Sequence, residues 1–384
     1  MISGIVTILF FVISGWQDPM TEPQAESLFR RGVELQQSGD PGRARQAYEA
    51  ALRLAPDRID ILSNLGVVCA RLGRYDEAVI HYRRALTLRP NEARIRLNLG
   101  IAHFQLRQFR DVITQLTMVR EIYPNHTQSR LLLGISHYEL RELNQAIVHL
   151  EAVHTTEPGD VSVAHLLALA CLDSGLPAKI ERAGDLVRTI FREIPTAEAG
   201  LVRGSYALAR RDLQSAISNL SEALRLNPGL SAARIRLGAA WLLAGNREAA
   251  IAAYADELAT NRDNIEATSR LGWLYREEGR LDEAEPLLKW ALDRRPDDPG
   301  LLYQLARLHY TRRQLNSALP LAERLTVLAP RYRPGRVLLS RLYFRLGRPA
   351  DARREKEALA RLTGEQVRSS TAAEANNPLL NHQP

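Results

Sequence analysis

A chain of 384 residues, 45% hydrophobic and 25% charged, is long enough for an extensive core and too apolar for a compositionally disordered polypeptide. Its net charge is +7, but among 51 basic residues only Lys179, Lys289 and Lys356 are lysine. So one-sided an arginine bias can follow nucleotide composition, and basicity alone does not single out a nucleic-acid ligand. The two cysteines, Cys69 and Cys171, make no C-x-x-C pair or metal-ligand spacing and signal neither a zinc site nor a disulfide framework.

From Ile2 to Trp16 the sequence ISGIVTILFFVISGW carries no charge. It is shorter than the roughly 20 residues of a membrane span. It fits the hydrophobic region of a secretory signal peptide, with Gly15 as a small residue near its end. No Lys or Arg precedes it and no A-x-A site follows. Three readings stay open: residues 1–16 as a cleaved signal peptide, the same residues as an uncleaved N-terminal anchor, or translation from Met20. The first two make the protein exported or membrane-anchored, with membrane contact only through residues 1–16; the third leaves it cytoplasmic. Residues 17–24 are expected to be a linker.

From Ala25 a single unit recurs. Pro56, Pro90, Pro124 and Pro158 fall 34 residues apart, and Pro195, Pro228, Pro296 and Pro330 continue the series with one slip of two residues. The stretch LGRYDEAVIHYRRALTLRP ending at Pro90 returns as EGRLDEAEPLLKWALDRRP ending at Pro296. Starts near 25, 59, 93, 127, 161, 197, 231, 265, 299 and 333 set ten units in phase across residues 25–362. Each holds two apolar-periodic stretches of helical length, split by a Gly or polar turn near position 15. Position 8 is Gly32, Gly66, Gly100, Gly134, Gly204, Gly238 or Gly272, with Ala168, Ala306 and Ser340 in the other units. Position 20 is alanine in eight units, position 7 is mostly leucine, and position 24 is Tyr48, Tyr82, Leu116, Leu150, Leu220, Tyr254 or Leu288. Small residues facing large ones at fixed places suit a close antiparallel helix pair, and proline at position 32 ends the second helix.

These residues resemble the tetratricopeptide repeat family, a 34-residue helix-turn-helix pattern. The resemblance implies an all-α fold, a right-handed superhelical solenoid of antiparallel helix pairs, and no enzymatic activity. It also implies that the first helices line a concave groove holding peptide segments. Departures are GLPAKIERAGD in the fifth unit, expected to lengthen the turn or the start of the second helix, and Arg262 in place of proline in the seventh. Pro286 and Pro320 lie early in their second helices, where a late start or a kink is expected. The stretch ADARREKEALARL, Ala350 to Leu362, reads as a solvent-facing cap, and residues 363–384 as a disordered tail.

Positions 2, 5, 9 and 12, flanked by 6 and 13, share one side of the first helix. In resembling proteins that side faces the groove. Here it offers an apolar strip of Leu97, Ile101 and Phe104, then Leu131, Ile135 and Tyr138, continued by Leu169 and Leu172. Farther on it becomes Arg236, Arg270, Arg276, Arg307 and Arg341, interleaved with Trp273, Tyr303, Tyr310 and Phe344, with Glu266 and Glu277 nearby. Arginine and aromatic anchors suit an acidic and apolar peptide segment. Asn64 and Asn98 share position 6, where asparagines of some family members hold a ligand backbone. The carboxylate clamp of chaperone-binding members is absent: Ser63 and Val67, Leu97 and Ile101, or Ser269 and Trp273 stand at its positions.

His103, His137 and His309 occupy position 11, a packing site, and are read as core histidines; Cys69 and Cys171 share that position and are read as small core hydrophobes. His149 and His154 are five apart, outside the i, i+4 spacing of helical zinc sites. No phosphate-cradling glycine loop or GxSxG occurs, so no cofactor, metal or catalytic group is expected. The sequence leads to a scaffold that binds partner proteins or peptide segments, with assembly of a cell-envelope complex as a finer reading. The alternative is a helical-repeat nucleic-acid binder using the Arg and aromatic residues of the C-terminal half.

Overall fold

The structure, a computed structural model, describes residues 21–192 and 194–375. The apolar segment 1–16 and residues 376–384 lie outside them. The described residues form twenty α-helices and no strand, divided between two compact units, Met1–Arg192 and Glu193–Pro384. None of these helices is long and apolar enough to cross a membrane.

The first unit contains five helix pairs. They are α1 (Thr21–Gln37) with α2 (Pro41–Leu54), α3 (Ile59–Arg71) with α4 (Tyr75–Leu88), and α5 (Ala93–Gln105) with α6 (Phe109–Ile122). Then come α7 (Thr127–Glu139) with α8 (Leu143–Thr156), and α9 (Val161–Asp173) with α10 (Pro177–Thr189). Every pair packs on the next, and α3, α5, α7 and α9 also touch in sequence, so first helices line one face. The second unit repeats the plan. Its pairs are α11 (Ala197–Ala209) with α12 (Leu213–Leu226), α13 (Ser231–Leu243) with α14 (Arg247–Thr260), and α15 (Ile265–Glu277) with α16 (Leu281–Arg294). They continue with α17 (Pro299–Thr311) and α18 (Leu315–Leu328), then α19 (Arg333–Arg345) and α20 (Pro349–Ala375). There α15, α17 and α19 adjoin along the corresponding face.

Seven of the ten pairs close through a glycine at position 8 against a large side chain at position 24. A methyl group on Gly66 would stand 2.5 Å from the Tyr82 ring, and one on Gly204 2.6 Å from Leu220, closer than packed atoms approach. The fifth repeat departs from this pattern, with Ala168 at position 8, fully buried, and Gly184 at position 24. Tyr48, Tyr82 and Tyr254, the largest of these knobs, are at most 1% exposed. Glycine's cost within a helix, about 1 kcal/mol against alanine, is thus offset by the depth to which a ring or isobutyl group enters.

The turn inside each pair is equally uniform. Position 15 has positive φ in all ten repeats: Gly39, Gly73, Gly175, Gly245, Gly279 and Gly347 in six, and Arg107, Arg141, Arg211 and Arg313 in four, the arginines at 56 to 63°. Left-handed backbone crowds the Cβ of an L residue, at roughly 1 to 2 kcal/mol. Arginine there is a departure that the sequence pattern did not flag.

Several expectations need correction. α1 begins at Thr21, inside the segment expected to be a linker; Pro23 sits in its first turn, where no intrahelical N–H bond is lost. α20 continues as helix to Ala375, past Leu362, because no proline interrupts the chain before Pro378. The fifth repeat starts its second helix on schedule at Pro177, after a turn closed by Gly175. The extra length of this repeat falls after α10, which ends at Thr189 before α11 begins at Ala197, and Phe191 is fully buried there. Pro286 and Pro320 do not delay their helices, which begin at Leu281 and Leu315. Both rings are exposed, so the carbonyl each leaves unbonded is open to water.

Candidate partner-binding site

On the first-helix face of the first unit, Leu97, Ile101, Phe104, Leu131, Ile135 and Tyr138 are all half-buried. Leu97 and Phe104 lean on the core formed by Val112, Leu116, Val119 and Leu133, while still reaching the surface. Leu169 and Leu172 do not extend the strip: they are 5% and 8% exposed, covered within the α9 region. The strip ends instead in a polar latch, in which the Tyr138 hydroxyl donates to Asp173 at 2.9 Å and Arg141 donates to the same oxygen at 2.8 Å. Asn64 and Asn98 are half-buried, and the Asn64 amide donates to the Asp60 carbonyl of its own helix at 2.8 Å. Its carbonyl oxygen remains the group that can meet a ligand N–H.

In the second unit Arg270 and Arg341 are exposed and Arg236, Trp273, Tyr303 and Arg307 half-buried. Arg276 differs from expectation. It is 6% exposed, donates from Nε to Gln304 at 2.8 Å, and pairs with Glu277. A guanidinium so enclosed ties α15 to α17 and is closed to a ligand; burial and the nearby Arg307 push its pKa down from the ordinary arginine value. Tyr303 meets the Tyr332 ring edge-on at 5.3 Å, and Arg307 stacks over Tyr303 at 5.6 Å. Phe344 is 71% exposed, a large apolar side chain offered to solvent at the end of α19. Glu277 lies 3.9 Å from Arg307 and Glu266 3.9 Å from Arg270, so the face is arginine-rich but partly neutralised.

Two polar devices recur that the 34-residue apolar pattern does not announce. The position-11 histidines are buried as expected, and each bonds through Nδ1 to position 16: His103 to Gln108 at 2.6 Å, His137 to Glu142 at 2.6 Å, His309 to Gln314 at 2.7 Å. Arginine at position 4 donates to the preceding position-32 proline carbonyl: Arg96 to Pro90 at 2.9 Å, Arg130 to Pro124 at 3.0 Å, Arg336 to Pro330 at 2.6 Å, and Arg234 to Pro228. The spacing P-x5-R carries this signal in the sequence. These four arginines therefore join one repeat to the next. Cys69 and Cys171 are buried thiols whose pKa burial raises to about 11, which keeps them protonated and unreactive. No group of three or more metal-ligating side chains occurs among the described residues.

A helical-repeat protein with solvent-facing first helices is the class these features define. Tetratricopeptide repeat models match residues 29–93, 201–265, 275–331 and 334–355, together more than half of the sequence, and a model of anaphase-promoting complex, cyclosome, subunit 3 matches 71–153. The chain belongs to the tetratricopeptide repeat family. It is 32% identical over 174 residues to cellulose synthase operon protein C of Xanthomonas axonopodis pv. citri (strain 306). That match covers 43% of this chain and 12% of the relative. A tetratricopeptide repeat protein from Parabacteroides merdae shares the fold at 16% identity and a TM-score of 0.50, over 65% of this chain and 98% of that one. Yeast Tom70, at 16% identity and a TM-score of 0.40, aligns over 92% of this chain and 96% of its own.

Proposed function

We propose that the protein is a non-enzymatic scaffold whose first-helix faces bind segments of partner polypeptides. The observation that carries this reading is the row of half-buried apolar groups on α5 and α7: Leu97, Ile101, Phe104, Leu131 and Ile135. They retain surface along adjoining helices, where a segment laid across them covers several at once. In the second unit Trp273, Tyr303, Arg270 and Arg341 favour a segment carrying acidic and apolar groups. The internal pairing of Arg276, Arg307 and Arg270 with glutamates weighs against a nucleic-acid ligand, which needs an unneutralised basic track. The finer reading, assembly at the cell envelope, rests on the apolar stretch Ile2–Trp16; intact Met1 without membrane association, or a start at Met20, would remove it.

The test is affinity capture with the full chain against two double variants, Ile101→Ser with Ile135→Ser and Arg270→Ala with Trp273→Ala. Each is expected to lose a distinct subset of the proteins captured by the wild type. Identical captured sets from all three would show that these faces are not where partners bind, and capture of polynucleotide that falls steeply with salt would favour the nucleic-acid reading.

A further inference from the structure

The left-handed arginines of position 15 have a common task in the first unit. Arg107 pairs with Glu139 at 3.0 Å and Arg141 with Asp173 at 2.8 Å, in each case reaching position 13 of the following repeat. The acid closes the edge between neighbouring turns. In the second unit the same two positions recur with altered chemistry. Arg211 is followed at position 13 by Leu243, whereas Arg313 is followed by Arg345. Two guanidinium groups thus hold the places of a cation and its counterion.

The surroundings do not supply the missing anion. Arg313 and Arg345 are exposed and have no ion-pair partner among the described residues. Nearby carboxylates are engaged elsewhere: Asp282 and Glu285 with Arg312, and Asp351 with Arg348. Arg345 lies across the last turn of α17, its guanidinium 4.6 Å from the Tyr310 ring, three residues before Arg313. Phe344 projects into solvent beside it.

We propose that Arg313 and Arg345 receive a carboxylate from a partner polypeptide, completing from outside the latch that Glu139 and Asp173 complete from within the chain. Carboxylate is the matching chemistry because the chain itself uses it at the equivalent places, and Phe344 favours an apolar residue next to the acid. The site lies at the turn end of the first-helix face and shares Phe344 with it, so it rests on the scaffold reading while adding an acid-specific contact that reading does not require.

The probe is a fluorescein-labelled peptide with two glutamates flanking a phenylalanine, compared with its glutamine counterpart, by anisotropy on the full chain at low salt. The glutamate peptide is expected to bind at least about fivefold more tightly, the scale of two exposed ion pairs. Arg345→Glu rebuilds the internal latch and is expected to remove this preference. Arg313→Gly should lower it too while leaving the melting temperature unchanged or higher, since glycine takes the left-handed backbone without strain. Arg353→Glu makes the same charge change at an exposed site on α20 and should keep the preference. Equal binding of the two peptides, a preference that survives Arg345→Glu, or an equal loss in Arg353→Glu overturns the assignment. So does complete displacement of the peptide by an equal concentration of inorganic phosphate, which would identify a generic anion site.

Discussion

In the first unit the polar side chains sealed between helices are chiefly histidines; in the second a prominent sealed group is a salt bridge. His137 and His149 stack with ring centroids 5.5 Å apart, His154 is also buried in α8, and Nδ1 of His149 has no hydrogen-bond partner among the described residues. In the second unit Glu257 is fully buried and accepts from Arg234 at 2.9 Å, from Ser231 at 2.5 Å and from Asn264 at 2.9 Å. This network crosses the seventh repeat where Arg262 replaces the proline. One helical frame accepts either solution, because in both units most repeats keep the same apolar contact of a position-8 glycine with a large position-24 side chain. The difference lies in how each unit responds to protons and to the loss of a charge.

Removing the cation from the buried pair should have the largest effect. Arg234→Ala leaves Glu257 uncompensated and detaches the Pro228 carbonyl, at a cost of about 3 kcal/mol. In a linear array that loss stays near its source. Hydrogen exchange should therefore accelerate in α13 to α15 and stay unchanged in α3 to α6; uniform acceleration would show that the units are not separable in stability.

Acid should sharpen the contrast from the other side. Burial, reinforced by Arg120, His137 and Arg130, lowers the His149 pKa to about 4, and burial lowers that of His81 as well. A histidine with a depressed folded pKa stays neutral while the unfolded chain takes up the proton. Its contribution is complete above pH 6.5 and is lost as pH falls toward 4. About 2 kcal/mol should be gone from the α7–α8 region by pH 5, and His149→Leu should flatten the profile. Equal acid sensitivity of the α13–α14 region would contradict the comparison.

A smaller effect is expected from Gly66→Ala. The added methyl meets the Tyr82 ring, and the gain in helix propensity offsets part of the overpacking, leaving a loss of about 1 kcal/mol in a denaturant titration. The paired changes at Ile101 and Ile135 remove half-buried apolar surface and should lower the melting temperature while leaving the helical circular-dichroism signal intact at room temperature, so that altered partner capture reports the face and not unfolding.

The repeat frame was legible because glycine at position 8, a large residue at 24 and proline at 32 each answer to contacts within about one unit, where sequence spacing and spatial neighbourhood coincide. Accessibility on the first-helix face was less legible. Position 12 holds Leu172 in one repeat and Phe344 in another, yet the first is 8% exposed and the second 71%. What covers a side chain belongs to the adjacent repeat, and the register names the face without naming its neighbours. Arg276 shows the same limit, since the side chain it bonds to, Gln304, stands 28 residues away. The arginine bias of the composition concealed the cations that join repeats, such as Arg96 and Arg336, among those that face outward.

Site-specific photocrosslinking tests the scaffold reading most directly. A benzophenone side chain would be placed at Ile101, Ile135 or Trp273 on the first-helix faces, or at Ile80 or Val148, which are 63% and 59% exposed on second helices. After irradiation in the native cell, discrete crosslinks to polypeptide are expected from the first three positions and none from the other two. Crosslinks confined to Ile80 and Val148, or adducts from the first three that are sensitive to nuclease and resistant to protease, would contradict the scaffold reading.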